Sequence, residues 1–322
     1  MKFATLLQSV LALAITASSA ASHAAAPGTE PERFITLGTG AGPRPDPERA
    51  QPANVLLADG RVILVDVGDG ATSQLGKAGL TMESVTDVFL SHLHFDHTGG
   101  LFALLSRRYQ ILTPGKVHIY GPPGTKATVG ALLAAIQPAA ASAGNITGQD
   151  NRPAPNLIEV TEIADGWAGS LGAIKVRATS NTHYVLAAAT DPTRLDSFAF
   201  RFDTPQRSLV YCGDTGPSEN IEALAKGADI LVCEIMDPDF SLARLKAARP
   251  DISAAAYAAI SAHFHRQHIS PREVGLMANR AGVRTLALTH NAIPRAQLPA
   301  ARDEISSVFR GKIVFSEDLQ IL

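Results

Sequence analysis

Val85–Leu101 reads V-T-D-V-F-L-S-H-L-H-F-D-H-T-G-G-L. The first seven residues have the apolar, β-branched character of a buried strand, and Thr98-Gly99-Gly100-Leu101 opens a helix. His92, His94, Asp96 and His97 therefore fall on a strand-to-helix loop, where α/β enzymes place their chemistry. Four metal-capable groups crowded into one turn are costly to hold without a cation. Imidazole and carboxylate together suit Zn²⁺, Mn²⁺ or iron, whereas Ca²⁺ or Mg²⁺ would want oxygen donors throughout.

Outward from this loop, three single residues stand at or near the ends of apolar, β-type runs. They are His183 in S-N-T-H-Y-V, Asp214 in L-V-Y-C-G-D-T-G and His290 in T-L-A-L-T-H-N. Strand ends can converge on one rim, and a two-metal centre needs about seven ligands, a number this chain supplies. The ordered set His92-x-His94-x-Asp96-His97, His183, Asp214, His290 resembles the metallo-β-lactamase superfamily, from about Phe34 to the C-terminus. Composition alone gives only α/β. The resemblance implies an αββα sandwich of two mixed β-sheets with helices on the outer faces. It further implies two Zn²⁺, with Mn²⁺ or Fe as substitutes: His92, His94 and His183 on one, Asp96, His97 and His290 on the other, and Asp214 bridging. A hydroxide between the metals would be the nucleophile, with Asp96 sharing the base role.

Three further segments narrow the branch. Phe34–Gly42 reads F-I-T-L-G-T-G-A-G, whose glycines let a strand end turn close to the metals. In H-I-S-P-R-E, Ser270 caps a helix, Pro271 fits its first turn and Glu273 completes a capping box, leaving His268 just outside. Glu234 ends the run I-L-V-C-E. This trio resembles the ribonuclease Z and phosphodiesterase-like branch, and the resemblance implies that His268 is the general acid for the leaving oxygen and that Glu234 orients and charges it. In ribonuclease Z proteins an arm that clamps tRNA precedes the G-D-T segment, yet only Asp203 to Arg207 joins Ser197–Phe202 to Ser208–Cys212 here. The expectation is an exported hydrolase of small phosphate or sulfate esters, of phosphodiesterase or arylsulfatase type, without nucleic acid as a partner. A lactonase or β-lactamase acting on a cyclic ester or amide, and a ribonuclease Z-like tRNA 3′-processing endonuclease, are the alternatives. Asp214, where the commonest zinc β-lactamases carry Cys, weighs against a lactamase.

Composition is compatible with these readings. The chain has 322 residues, 46% of them hydrophobic, enough for one large α/β domain. Met1-Lys2-Phe3, the apolar Leu6 to Ile15 and the small residues Ala17 to Ala26 read as a secretory signal with a cleavage site at Ser22-His23-Ala24. The expected organisation is a signal peptide over residues 1–24 and a single hydrolase domain over 25–322, periplasmic or secreted, with no lasting membrane insertion. The formal charge of −2, or −3 once Lys2 is removed, leaves no basic stripe. Arg107-Arg108 and the Arg244, Lys246, Arg249 group read as solvated helix faces. Cys212 and Cys233 read as core residues of neighbouring strands. Homo-oligomer formation is left open.

Along the chain, Asp59-Gly60 marks a hairpin between the strands Asn54 to Leu57 and Val62 to Val67. Pro138 to Pro155, rich in Ala, Gly, Asn and Pro, reads as a flexible loop or lid. His263 and His265 read as surface or core histidines, because positions i and i+2 of a helix point apart. His118 reads as structural, and Tyr184 and Trp167 as either pocket-lining or packing. No internal repeat is visible.

Overall fold

Strand-forming runs dominate both halves of the chain, and each half builds one sheet. The computed structural model describes residues 31–143, 154–188 and 196–322. The signal peptide reading, residues 1–24, lies outside the described residues, as does the 144–153 portion of the lid reading. The first sheet contains β1 (Arg33–Gly38), β2 (Ala53–Ala58), β3 (Arg61–Val67), β4 (Asp87–Phe89), β5 (Val117–Gly121) and β6 (Ile158–Glu162). The second contains β7 (Ala168–Leu171), β8 (Ile174–Ser180), β9 (Phe198–Asp203), β10 (Ser208–Tyr211), β11 (Ile230–Ile235), β12 (Thr285–Asn291) and β13 (Lys312–Phe315). The short C-terminal β14 (Gln320–Ile321) returns to the first sheet beside β1.

The two sheets share a plan that hydropathy alone concealed. In the first, β1, β2 and β3 form an antiparallel meander, after which β3, β4, β5 and β6 run parallel. The second likewise runs antiparallel from β7 to β10 and parallel from β10 to β13. The Asp59-Gly60 hairpin forms as expected, with both residues at positive φ (49° and 70°), the twist a two-residue hairpin turn requires.

Helices cover the outer faces. α1 (Ala71–Lys77), the single turn α2 (Phe95–Thr98), α3 (Leu101–Gln110) and α4 (Thr125–Ala143) follow the strands of the first sheet. Leu75, Leu101, Leu104, Val129 and Leu133 from α1, α3 and α4 are buried against it. α5 (Val185–Ala188), α6 (Glu219–Leu224), α7 (Pro238–Ala248), α8 (Ala254–Gln267), α9 (Pro271–Ala281) and α10 (Leu298–Val308) belong to the second half. There α6, α9 and α10 bury Ile221, Val274, Met277 and Ile305 on the outer face. Between the sheets lies a third core, in which Phe89 from β4 meets Phe200 and Phe202 from β9 edge-on, with centroids 5.3 Å apart in both pairs. This is the αββα sandwich of two mixed sheets.

Three local expectations need correction. α4 runs through Pro138 to Ala143, so the start of the proposed loop is helical. The motif strand is only three residues long; its last bond to β5 runs from the Leu90 N–H to the Tyr120 carbonyl, and the ligand-bearing turn follows. Arg108 is not a solvated helix residue: it is buried and its guanidinium donates to the Met82 and Val85 carbonyls, which close the preceding loop. Cys212, just past the end of β10, and Cys233 on the neighbouring β11 are buried free thiols, as their apolar surroundings suggested. Among the described residues no helix is long and apolar enough to cross a membrane.

Candidate metal centre

Strands β1, β3, β4, β8, β10, β11 and β12 all end on one rim, and every expected site residue lies there. His92, His94 and His183 bring three ring nitrogens within 4.8 Å of one another, and Asp96, His97, Asp214 and His290 form a second such group. The first group is a triangle of imidazoles with centroids 4.7–4.9 Å apart, in which His94 Nδ1 faces His183 Nε2 at 3.1 Å. In the second, His290 Nε2 stands 3.3 Å from Asp96 Oδ2 and 3.4 Å from Asp214 Oδ2, while His97 Nε2 stands 3.2 Å from Asp214 Oδ1. Asp214 Oδ2 is also 4.0 Å from His183 Nε2, so this carboxylate reaches both groups. These two groups parallel the expected division, and a third, overlapping group joins His268 to His183 and Asp214.

The donor set fits cations. His92 Nε2, His97 Nε2 and Asp214 Oδ1 are buried without a hydrogen-bond partner, a costly state unless something else takes their lone pairs. Meanwhile the opposite edges of the rings are tied down. His97 Nδ1–H donates to Asp66 Oδ2 at 2.8 Å, and His183 Nδ1–H to the Gln267 carbonyl at 3.1 Å, which leaves each Nε2 free to ligate. Asp66 also accepts from the Ser91 N–H at 2.7 Å and the Tyr211 hydroxyl at 2.7 Å, fixing the start of the motif loop. Sequence reading passed over Asp66 and Gln267; an acidic residue inside the apolar run of β3 was the available signal for the first.

Without a cation, and against burial, the Asp214 carboxylate raises His97 and His290 above the usual imidazole range, while Asp96 and His183 shift toward their ligating forms. Burial opposes charge on Asp96, but the hydrogen bond from His290 and the neighbouring His97 bring its carboxyl down to about 2. Burial brings His183 down to about 3 despite the Asp214 carboxylate, so its ring is neutral at ordinary pH. The expected close approach of the glycine segment is also present: a Cβ on Gly42 would lie 2.1 Å from Asp96 Oδ2.

Beside the two groups, His268 Nδ1 lies 2.7 Å from Glu234 Oε2. The capping box at Ser270 and Glu273 forms and fixes the start of α9, so His268 is held just before the helix. Burial pushes the Glu234 carboxyl well above its usual range and the His268 ring below its own; both shifts favour a neutral pair sharing one proton. His263 and His265 point apart, as their spacing on the helix suggested, and His263 belongs to neither donor group. His265 turns to Asp239, whereas His263 turns inward and places its Nε2 3.3 Å from His268 Nε2. Tyr184 packs its ring against His92, His94 and His183, a packing role beside the donor groups. Trp167 packs on Phe89 and Tyr120 in the core, and His118 pairs with Glu159 away from the rim.

A cavity of about 1000 Å³ opens over the site. Its floor includes His94, Asp96, His183, Asp214, His268 and His290; its walls include the 41–49 loop and residues of α7 and α8. Arg44, Arg49, Arg244 and Arg295 line it, so Arg244 faces the cavity rather than an idle helix surface.

Comparison with known proteins agrees with this arrangement. A family described as "Beta-lactamase superfamily domain" matches residues 61–291. A ribonuclease Z of Mycobacterium avium (strain 104) is 32% identical over 288 residues, covering 88% of this chain and 95% of that protein. Among solved structures, the short form of human tRNase Z superposes with a TM-score of 0.62 at 22% identity, covering 90% of this chain and 98% of the other. A diphosphatase from the PhnP family does so with a TM-score of 0.60 at 16% identity, covering 90% and 96%. At those identities the two structures speak for the fold alone. The ribonuclease Z relative overturns the expectation that nucleic acid is no partner. Net charge averages over the whole surface, whereas recognition depends on the local field; here four arginines line the cavity, of which Arg49 pairs with Asp46 and Arg295 with Glu48 and Glu317. The chain belongs to the metallo-β-lactamase superfamily, as a homologue of ribonuclease Z, and is a metal-dependent hydrolase.

Proposed function

We propose that the chain is a binuclear-metal phosphodiesterase, with nucleic-acid phosphodiesters within its substrate range. The observation that carries this reading is the pair of donor groups sharing Asp214, with the Glu234–His268 pair beside them. His92, His94 and His183 would hold one divalent cation, Asp96, His97 and His290 the other, and Asp214 both; zinc is the metal that this donor set suits best. Bound there, the cations would supply Lewis acidity and lower the pKa of a bound water to near 7. The protein's own contribution is orientation and protons. Asp66 and the Gln267 carbonyl hold ligand rings in the tautomer that presents Nε2, and ionised Asp96 is poised to take a proton from the attacking water. His268, fixed by Glu234, protonates the departing oxygen as the phosphorus–oxygen bond breaks.

The relatives' names support phosphodiester chemistry over sulfate or carbonyl chemistry, and the arginine-lined cavity suits an anionic substrate. Export is part of the same proposal, resting on the N-terminal sequence, with residues 25–322 acting as one catalytic unit. Hydrolysis of bis(p-nitrophenyl) phosphate, a short RNA with a 3′ extension, p-nitrophenyl sulfate and a lactone, each with Zn²⁺ and Mn²⁺, tests the chemistry. Turnover of either phosphodiester above the sulfate and the lactone is expected; the reverse order would overturn the assignment. The N-terminal mass of protein recovered from cell fractions tests export, and an intact Met1 in the cytoplasm would refute it.

A further inference from the structure

Phe95 stands between His94 and Asp96 in the motif and takes no part in the mechanism above. Its side chain is 85% exposed, although Asp96 and His97 beside it in α2 are buried, and it lines the cavity over the donor groups. We infer that Phe95 is the stacking platform for the base next to the scissile phosphate, and that Arg44 takes the following phosphate; this rests on the phosphodiesterase reading.

A lone exposed apolar side chain is ordinary on a protein surface. What sets this one apart is how and where it is held. The Phe95 carbonyl accepts from the Gly99 N–H at 2.6 Å, and a Cβ on Gly99 would lie 2.7 Å from that same oxygen, so the turn is tightly built. Among the described residues no aromatic ring packs on Phe95, whereas Tyr184, on the other side of His94, is packed against three imidazoles. His94 belongs to the three-histidine group and Asp96 to the other, so a phosphodiester lying across both groups lies beside this ring. A fixed backbone carrying an uncovered aromatic ring offers a flat face at small entropic cost, because only two side-chain torsions remain to be settled.

The charge nearby is of the matching kind. Of the four arginines that line the cavity, Arg49 and Arg295 are committed to carboxylates. Arg44 and Arg244 are exposed and form no ion pair among the described residues; the Arg244 guanidinium lies over the Phe240 ring, 5.9 Å from its centroid. Arg44 is two residues from Gly42, which packs so closely on Asp96 that a Cβ there would lie 2.1 Å from Oδ2. Phe95 and Arg44 are thus one and two residues from the same point of contact. An aromatic face and an uncommitted cation beside one phosphodiester centre match a nucleotide, which presents a planar base and then another phosphate. A simple alkyl ester would use neither group, and an acyl or aryl ester only the ring.

The test uses the metal-loaded full chain and four phosphodiesters that share the p-nitrophenolate leaving group. Their other substituents are methyl, hexyl, thymidine through its 5′ oxygen, and the same thymidine bearing a 3′-phosphate. With the scissile bond held constant, ratios of kcat/KM isolate what the remaining group contributes. Phe95→Ala should lower the thymidine-to-methyl ratio on the order of 10-fold, and Phe95→Trp should preserve or raise it. Arg44→Ala should lower the ratio of the 3′-phosphorylated ester to plain thymidine several-fold, and less at high salt. An unchanged thymidine-to-methyl ratio in Phe95→Ala would overturn the platform. So would an equal fall in the hexyl-to-methyl ratio, which would make the contact merely apolar, or a loss of bound metal, which would make the ring a support of the turn. An unchanged 3′-phosphate ratio in Arg44→Ala would overturn the arginine's part. Wild-type chain that turns over none of the four esters, yet cleaves the sulfate or the lactone, would remove the phosphodiesterase reading and this inference with it. Turnover of all four with ratios indifferent to Phe95 would remove only the inference.

Discussion

The two halves of the molecule furnish the metal centre by different means. The first sheet contributes His92, His94, Asp96 and His97 from one six-residue stretch after β4, the last two in the single turn α2. The second contributes His183, Asp214, Glu234 and His290 from the ends of four strands, β8, β10, β11 and β12. A loop places its donors by local backbone geometry, so they move together. Strand ends place theirs by sheet register, so each depends on a different pairing, and the parallel register of β10, β11 and β12 brings three of them level. One half of the site is thus a local property of sequence and the other a property of topology.

The most severe way to probe this difference is to remove one donor from each half. His92→Ala should strip the cation of the three-histidine group, and His290→Ala the cation of the Asp96–His97 group, each with loss of most activity. Metal analysis of the purified variants checks this, and two full equivalents in both would break the seven-ligand assignment. A smaller effect is expected at His268, which belongs to the second half but to neither donor group as assigned. His268→Ala should keep both metals and lose roughly 10²–10⁴ in kcat on an alkoxide leaving group, with less loss on nitrophenolate, which needs little protonation. Equal losses on both would mean that His268 positions substrate instead.

Asp66→Asn sharpens the contrast from inside the first half. It removes the carboxylate that accepts from His97, Ser91 and Tyr211, and should weaken metal affinity by about 10- to 100-fold, read by chelator competition. Ser218→Ala is the mildest. Its hydroxyl accepts from the Ile221 N–H at the start of α6, so the variant should lose about 1 kcal/mol in urea unfolding and keep its metal, because strand ends insulate the site from that helix. Metal loss there would show that topology transmits local damage to the centre.

How much of this was legible in the sequence follows the same division. The quadruple motif, the hairpin at Asp59-Gly60 and the capping box at Ser270 are local signals, and each formed where the residues pointed. Single ligands at strand ends were also readable, because a polar residue ending an apolar run is conspicuous. β7 was missed, since A-G-S-L carries no alternation strong enough to mark a strand. Pro138 misled because one proline in an alanine-rich segment resembles a break, yet the helix passes through it. His263 was set aside by a rule about helix periodicity that is correct for the pair; what the rule lacks is which of the two faces turns inward. That choice is made by how α8 meets the rest of the second half, a long-range contact with no trace in local spacing.

Gly42 is where this centre is most exposed to accident. Its missing side chain is the clearance that lets Asp96 stand where it does, since even one methyl group would overlap the carboxylate. In a mutational scan the position should therefore score like a ligand, tolerating almost nothing, although it has no donor atom to lose. Intolerance mapped along this chain would outline the site's walls as well as its chemistry, and a search for ligands by sensitivity alone would count one residue too many.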